Sequence, residues 1–211
     1  MIKKILNKIK QKLSFRNSGY YWDERYKKGG NSGPGSYDHL AEFKAEVIND
    51  FVKNNQVNTV IEFGCGDGNQ LKYFEFHHYT GFDVSTEAIK NIKETFKNDS
   101  SKEFYHLSEY ANQKSDLTLS LDVIFHLVED KTFEDYMIRL FSSAKRYVII
   151  YSSDSDVQYP IQSIHVKHRK FSDWVNNQKI PFKLIKRINN KYPYDGSNET
   201  SYSDFFVFER I

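Results

Sequence analysis

Three glycines at alternate positions follow directly on an apolar segment in the first third of this chain of 211 residues. The segment is VIEFGCGDGNQL, in which Glu62 is followed by Gly64, Gly66 and Gly68. Glycine has no Cβ, so such a segment can turn tightly and bring backbone N–H groups close to a ligand. An apolar strand that ends in such a turn is typical of an open α/β sheet, in which ligands bind beyond the carboxyl ends of the strands.

The spacing of these glycines narrows the class of ligand. A dinucleotide-binding fingerprint, GxGxxG, requires glycine at a position that is Asn69 here, and no GK[ST] triplet of a nucleotide-triphosphate loop follows. Two acids complete the pattern, because Glu62 ends the first predicted strand and Asp83 ends the second. A carboxylate at the second strand tip holds a ribose diol in such folds. The charge of Glu62 favours a cationic ligand, such as a sulfonium, over a pyrophosphate.

Strand-like and helical segments alternate along most of the chain. This alternation predicts parallel strands joined by right-handed crossovers, whereas the last two strands, joined by a short loop, must pair antiparallel. We therefore predict an α/β fold: a doubly wound, Rossmann-like, mostly parallel seven-stranded sheet with an antiparallel C-terminal hairpin. The predicted strands are 57–63, 79–83, 104–107, 116–122, 146–151, 182–188 and 203–208. The predicted helices are 39–51, 69–76, 85–96 (capped by Ser85), 132–143 and 170–177.

The segment 17–38, called the arm below, combines glycine-rich turns with a high density of aromatic side chains. Its glycines predict a loop rather than a helix, and its aromatic residues indicate a lid over a binding site. An alternative interpretation is an extension whose aromatic rings fill surface grooves of the domain. The arm residues expected to contact the substrate are Trp22, Arg25, Tyr26 and Tyr37.

Residues 1–16 are basic and amphipathic, with apolar residues on one helical face and lysines on the rest. Such a helix can lie on an anionic membrane, or it can pack its apolar stripe on the domain. We divide the chain into a helix and lid arm, residues 1–38, and a domain of residues 39–211.

The overall charge and the cysteine content restrict the partners and the compartment. The net charge is only +2, with acids and bases mixed, which argues against a nucleic-acid partner. Cys65 is the only cysteine, so no internal disulfide can form, and a reducing, cytoplasmic compartment is expected. No apolar segment approaches the roughly 20 residues of a membrane span, so membrane contact would be peripheral, at the inner face, through residues 1–16.

The motif IEFGCGDG followed by YTGFDVS resembles the class I S-adenosylmethionine-dependent methyltransferases, over about residues 57–208. The resemblance implies that S-adenosylmethionine is the cofactor. It implies that Glu62 and the three glycines hold its methionine part, that Asp83 binds the ribose, and that residues 107–110 flank the adenine. The cofactor-binding residues expected on this basis are Glu62, Gly64, Cys65, Gly66, Gly68, Asp83, Val84, Ser108, Glu109, Tyr110 and Asp122.

A second, looser resemblance concerns the acceptor. The segments LDVIFHLVED and HVKHRKFSDW are similar to small-molecule methyltransferases of bacterial surface-polysaccharide biosynthesis. This similarity implies a small polar acceptor that is anionic or derived from a sugar. Lys167 and Arg169, in a basic loop after the fifth strand, are candidates to bind its negative charge. The alternative is a solvated basic turn that precedes the helix 170–177.

Transfer of a methyl group to a hydroxyl requires a base, and histidine is suited to that role near neutral pH. His126 follows the fourth strand and is the first candidate, with Asp122, His165 and His168 as further catalytic residues. Alternatively, the ring of His126 packs among apolar neighbours. These four side chains could also converge on a divalent metal, but HxxH is not the helical zinc spacing, so we expect no metal.

The sequence therefore predicts an S-adenosylmethionine-dependent O-methyltransferase. An N-methyltransferase remains an alternative, because a neutral amine needs less help from a base. A nucleic-acid methyltransferase is less favoured by the charge pattern. A scaffold without catalytic activity, docked on a membrane through residues 1–16, is a further alternative.

Overall fold

The computed structural model describes residues 15–159 and 162–211. Within these ranges seven strands form one sheet in the order β3-β2-β1-β4-β5-β7-β6. Strands β1 to β5 pair in parallel, and β7 runs antiparallel to both β5 and β6. The predicted mostly parallel sheet with its antiparallel C-terminal hairpin is therefore confirmed. The strands are β1 Thr59–Phe63, β2 His78–Asp83, β3 Lys102–His106, β4 Ser115–Leu121, β5 Ala144–Ser152, β6 Phe182–Ile188 and β7 Asp204–Arg210.

Helices cover both faces of the sheet, as a doubly wound fold requires. The helices are α1 Ser18–Lys27, α2 Asp38–Asn54, α3 Thr86–Thr95, α4 Asp130–Ser143 and α5 Phe171–Asn177. The apolar residues of α2 and α3 pack in one buried cluster with one side of β1 and β4, and those of α4 and α5 pack in a second cluster on the other side. Ser85 caps α3, as predicted, because its side chain accepts a hydrogen bond from the Ala88 amide.

The first half of the arm is a helix, so the prediction of a loop throughout residues 17–38 was wrong. The side chain of Asn17 accepts a hydrogen bond from the Tyr20 amide and caps α1. Asp23 and Lys27, one turn apart, form an ion pair at 2.6 Å. Such local pairs stabilise a short helix. The glycine-rich turns begin only after α1 has ended, so they determine the second half of the arm alone.

The segment 69–76 forms a short 3-10 turn, Gln70–Tyr73, and not the predicted helix. After this turn the chain is extended, and Phe74 and Phe76 are both buried with their rings 5.0 Å apart. Residues two positions apart share a face only in an extended chain. Burial of both rings therefore outweighs the helical pattern.

The predicted amphipathic helix at residues 1–16 falls almost wholly on residues 1–14, which lie outside the described residues. Among the residues that are described, no helix combines the length and the apolar character that a membrane span requires.

Candidate active site

A cavity of about 270 Å³ lies at the carboxyl edge of the sheet. Its wall includes Gly64, Val84 and Asp122, which follow β1, β2 and β4 directly. The arm covers the opposite side with Trp22 and Tyr26 of α1. The glycine turn and the aromatic arm, far apart in sequence, therefore enclose one space.

The glycine turn donates its backbone N–H groups to strand β2. The amides of Gly64 and Cys65 donate to the Phe82 carbonyl at 2.7 and 3.1 Å. The amide of Gly66 donates to Oδ2 of Asp83 at 2.9 Å, and the amide of Ser85 donates to Oδ1 at 2.8 Å. These amides fix the Asp83 carboxylate in the cavity wall, and they are not free to bind a ligand.

Because the glycines of the turn have no side chains, the loop after β4 and the arm can pack directly against its backbone. Gly64 has a φ of 89°, and a Cβ there would lie 2.5 Å from Cγ2 of Val123. Gly66 has a φ of 57°, and a Cβ there would lie 2.8 Å from the hydroxyl oxygen of Tyr26 and would collide with Ser32. A larger residue at position 64 would thus push away the loop after β4, and one at position 66 would push away the arm.

Glu62 lies behind the cavity wall. Its side chain is 1% exposed and accepts hydrogen bonds from the Tyr79 hydroxyl at 2.6 Å and from Nε2 of Gln70 at 3.1 Å. Burial raises the pKa of Glu62 to about 7. Gln70 does line the cavity, and its Oε1 is buried without a hydrogen-bond partner among the described residues. A direct contact between Glu62 and a ligand remains a prediction, whereas Gln70 is already in place for one.

The second half of the arm is held on the glycine turn by Asp67. Its Oδ2 accepts hydrogen bonds from the Ser32 amide and from the Tyr37 hydroxyl, both at 2.9 Å. The hydroxyl of Ser32 in turn accepts a hydrogen bond from the Asp67 amide at 3.1 Å. The pKa of Tyr37 is raised to about 12, by burial first and then by its bond to Asp67. Asp67 therefore connects the glycine turn to the second half of the arm.

Helix α1 is attached at two further places. The amide and hydroxyl of Ser18 donate to the Glu129 carboxylate at 3.0 and 2.8 Å, just before α4 begins. The hydroxyl of Ser85, which follows β2, donates to Asp23 at 3.1 Å. The helix therefore spans the cavity from the β4 side to the β2 side.

Replacement of Asp67 by alanine is expected to loosen the arm. The variant removes the acceptor of the Ser32 amide, so exchange of that amide with solvent should accelerate by about tenfold or more. Hydrogen exchange followed by mass spectrometry measures this directly over residues 29–37. The control is Asp50→Ala, at an exposed position of α2. Unchanged protection of residues 29–37 in Asp67→Ala would show that this carboxylate does not hold the arm.

His126 lies in the cavity wall next to the aromatic residues of α1. Its Nδ1 lies 3.1 Å from the backbone carbonyl oxygen of His165, and its ring meets that of Trp22 edge to face at 4.7 Å. A carbonyl only accepts, so Nδ1 carries the proton and Nε2 keeps its lone pair in the neutral ring. No described residue hydrogen-bonds Nε2. Burial lowers the pKa of His126 to about 4, so the ring is neutral at neutral pH.

His165 supports His126 rather than lining the cavity itself. The two rings stack with centroids 5.2 Å apart, and the ring of Tyr21 also stacks with that of His165, at 4.1 Å. Burial lowers the pKa of His165 to about 3, with further lowering from the neighbouring His126 and Arg25. The predicted pair of histidines is thus brought together, with different access to the cavity.

Asp122 lines the cavity, and both of its carboxylate oxygens are already engaged. Oδ2 accepts from Nζ of Lys44 at 2.9 Å, and Oδ1 accepts from the Ser203 hydroxyl at 2.7 Å. Lys44 is fully buried in α2, and its ammonium lies 5.3 Å from the centre of the Tyr151 ring. Asp122 therefore presents a charge-compensated carboxylate in the wall of the cavity.

The other predicted site residues lie away from this cavity or serve local contacts. Lys167 and Arg169 both bind Asp130, at 2.5 and 2.8 Å, and they line a separate surface depression. His168 is buried, with Nδ1 bonded to the Ser153 hydroxyl at 2.7 Å. Ser108 and Glu109 are exposed outside the cavity wall, Tyr110 binds Ser143 at 2.6 Å, and Leu107 takes their expected place in the wall.

Cys65 and Arg25 occupy different surroundings. Cys65 is buried and lines the cavity, and burial raises the pKa of its thiol, so it stays protonated. Nε of Arg25 donates to the Asn31 carbonyl at 2.6 Å, and its guanidinium lies 5.4 Å from the Trp22 ring. Arg25 forms no ion pair with a described residue.

No three His, Cys, Asp or Glu side chains among the described residues are grouped as metal ligands would be.

Sequence reasoning did not identify Lys44, Asp67 or Gln70 as parts of the site. Lys44 carried a signal, because it lies on the apolar face of its helix between Leu40 and Ile48. Asp67 lies inside the glycine motif but gives no local sign of its contact with Ser32, 35 positions earlier. Gln70 had no signal, because its role depends on the buried Glu62 behind it.

Comparison with known families places this architecture. Residues 37–184 match the model of a family described as "Methyltransferase domain". The chain therefore belongs to this methyltransferase domain family. A comparison with curated proteins gave no match.

Solved structures share the fold at low sequence identity. The N-methyltransferase NodS from Bradyrhizobium japonicum, in complex with S-adenosylhomocysteine, is similar with a TM-score of 0.67 and 12% identity, over 92% of this chain and 99% of that one. Magnesium protoporphyrin IX methyltransferase ChlM from Synechocystis, with bound S-adenosylmethionine, gives 0.63 and 13%, over 94% and 99%. The methyltransferase domain of bacterial CtHen1-C gives 0.62 and 18%, over 82% and 99%.

Proposed function

We propose that the chain is an S-adenosylmethionine-dependent methyltransferase that transfers the methyl group to an oxygen of a small polar acceptor. Membership of the methyltransferase domain family supports the reaction class. NodS and ChlM, which share the fold, are seen with S-adenosylhomocysteine and S-adenosylmethionine. The cavity itself supports the cofactor, because its polar groups and apolar walls suit a nucleoside that carries a cationic amino-acid part.

Three parts of the cavity wall match the three parts of this cofactor. The Asp83 carboxylate, fixed by two backbone amides, would accept hydrogen bonds from the two ribose hydroxyls. Val84, Leu107 and Phe82 offer an apolar surface for the adenine. Oε1 of Gln70, which no described residue hydrogen-bonds, offers an acceptor to the amino-acid part. When bound, S-adenosylmethionine supplies an electrophilic methyl group on a sulfonium centre.

His126 is the single observation that carries the assignment to an oxygen acceptor. Its hydrogen bond to the His165 carbonyl leaves Nε2 unprotonated, and no described residue binds that atom. Nε2 can therefore accept the proton that a hydroxyl acceptor must lose as it is methylated, which contributes typically 10²–10⁴-fold to such reactions. The arm excludes water from this space with Trp22 and Tyr26.

Arg25 supports an anionic acceptor, such as a phosphorylated or nucleotide-linked sugar. Its guanidinium lies 5.4 Å from the centre of the Trp22 ring, which in turn meets the His126 ring at 4.7 Å. Lys167 and Arg169, the cations expected from the sequence, are compensated by Asp130. We therefore propose that Arg25, next to the cavity-lining Trp22, binds the negative charge of the acceptor instead of the loop after β5. A role in surface-polysaccharide synthesis is the biological setting we propose for such an acceptor.

The proposed function is tested by a screen for release of S-adenosylhomocysteine. The protein is incubated with S-adenosylmethionine and with phosphorylated sugars, nucleotide-linked sugars, neutral alcohols or amines, with and without a chelator. We expect turnover with an anionic hydroxyl compound, unaffected by chelation. Turnover with amines alone would refute the oxygen acceptor, and loss of activity with the chelator would refute a reaction without metal.

The same screen tests the role of Arg25. Arg25→Met should raise KM for the anionic acceptor by about tenfold, because a charge-assisted hydrogen bond is lost. Lys28→Met, at an exposed position directly after α1, is the control and should leave KM unchanged. An equal effect of the two variants would contradict a specific contact with Arg25.

A further inference from the structure

We propose that Gln70 recognises the ammonium group of the cofactor's amino-acid part, and that Glu62 and Tyr79 act as positioning residues that orient its amide. This inference rests on the proposed function, since it concerns the cofactor of that same site. It assigns the ammonium contact to Gln70 instead of Glu62, the acid that the sequence motif suggests.

The orientation of the Gln70 amide is fixed by a chain of three buried side chains. Oε2 of Glu62 accepts the hydroxyl of Tyr79 at 2.6 Å, and Oε1 of Glu62 accepts Nε2 of Gln70 at 3.1 Å. In this arrangement Glu62 is the acceptor towards both neighbours, so the Gln70 amide directs its nitrogen to Glu62. Its oxygen is then left for the cavity.

The oxygen of the Gln70 amide is a buried acceptor that needs a hydrogen-bond donor. Gln70 is 4% exposed and lines the cavity, and Oε1 is buried with no hydrogen bond to a described residue. A buried acceptor without a donor is unfavourable, and buried polar groups in native proteins are nearly always paired. Only a hydrogen-bond donor can complete the site.

The charges around the cavity favour a cationic donor. Asp67, Asp83, Asp122 and Asp135 line it together with a single arginine, Arg139. Lys44 compensates Asp122 and Lys131 compensates Asp135, which leaves Asp67 and Asp83 against Arg139. An ammonium group would therefore be attracted to this wall, and its hydrogen bond to Oε1 would be charge-assisted.

Glu62 cannot make this contact itself in the observed arrangement. Its side chain is 1% exposed, it does not line the cavity, and the protein already occupies both oxygens. Replacement of Glu62 by glutamine would allow the opposite orientation of the Gln70 amide, because the new side chain at position 62 can donate a hydrogen bond to Oε1 of Gln70. The Gln70 amide is then free to turn and present its NH₂ group to the cavity, which would repel an ammonium.

The experiment compares two ligands by calorimetry: S-adenosylhomocysteine and its analogue in which hydrogen replaces the α-amino group. The wild-type protein should bind the amino compound at least about tenfold more tightly, as expected for a charge-assisted hydrogen bond. In Gln70→Met this ratio should fall to about one, with binding of the analogue retained. Glu62→Gln should reduce the ratio in the same way, although Gln70 is intact.

Asp83→Asn is the matched control, because it alters the ribose contact in the same cavity. It should weaken both ligands by a similar factor and leave their ratio unchanged. A ratio near one in the wild-type protein, or a preserved ratio in Gln70→Met and Glu62→Gln, would overturn the inference while the cofactor site stands. If neither ligand binds the wild-type protein, the proposed function itself fails. Thermal melting verifies that each variant is folded. If the variants do not fold, the ratio of the two affinities in the wild-type protein alone tests the inference.

Discussion

Replacement of Lys44 by methionine is expected to lower the free energy of unfolding by about 3–5 kcal/mol, the typical cost of removing one partner of a buried ion pair. The Lys44 side chain is fully buried, and its ammonium is 2.9 Å from Oδ2 of Asp122. Without it, the Asp122 carboxylate would stay in a largely buried position, and among the described residues the Ser203 hydroxyl would be its one remaining donor. Denaturant unfolding followed by circular dichroism measures the loss.

Two further variants separate the ion pair from the side chain of Lys44. The double variant Lys44→Met, Asp122→Asn leaves no uncompensated charge, so it should recover part of the lost stability. Lys53→Met, exposed near the end of the same helix, should change the free energy of unfolding by less than about 0.5 kcal/mol. A Lys44→Met variant as stable as Lys53→Met would contradict a structural role for the pair.

His126→Ala is expected to lower kcat by about 10²–10⁴-fold, the usual contribution of a general base, with affinity for S-adenosylhomocysteine retained. The reason is the loss of Nε2, the ring nitrogen that forms no hydrogen bond with a described residue. His165→Phe should cost much less, because it keeps the stacked ring and the backbone carbonyl that orients His126. Single-turnover kinetics and binding calorimetry distinguish the two effects. Full kcat in His126→Ala would contradict its role as the base and point to an amine acceptor.

The pH dependence of kcat should reflect the unusual state of this histidine. The base acts in its neutral form, and burial lowers the pKa of His126 to about 4. Activity that depends on His126 should therefore remain constant as the pH falls from 8 to about 5, and decline only near pH 4. A base with the pKa of an unperturbed histidine would instead lose half of its activity near about pH 6.5. A midpoint near that value would contradict the buried environment of the base.

The sheet could be predicted from the sequence because its strands are short apolar segments that end in glycines or acids. Such segments have few other ways to be buried, and their order predicts the parallel core and the terminal hairpin. Helix α1 was missed because the glycines that follow it dominate the composition of the arm. The turn at residues 70–73 was missed because the burial of Phe74 and Phe76 depends on neighbours that are distant in sequence.

The position of the cavity wall was predictable where its residues form one local motif. The glycine turn, Asp83 and His126 follow strand ends, and strand ends of a parallel sheet meet at one edge. Lys44, Asp67 and Gln70 acquire their roles only through contacts with other segments, which leave little local pattern. The basic loop at residues 165–170 was suggestive in sequence, but Asp130 on α4 binds both Lys167 and Arg169.

Calorimetric titration of S-adenosylhomocysteine into the wild-type protein and Asp83→Ala tests the cofactor assignment most directly. Binding of one molecule per chain to the wild-type protein is expected. Loss of the carboxylate removes two charge-assisted hydrogen bonds to the ribose, so Asp83→Ala should bind at least about a hundredfold more weakly. No binding to the wild-type protein, equal binding to both proteins, or competition by a nicotinamide dinucleotide for the same cavity would contradict the assignment.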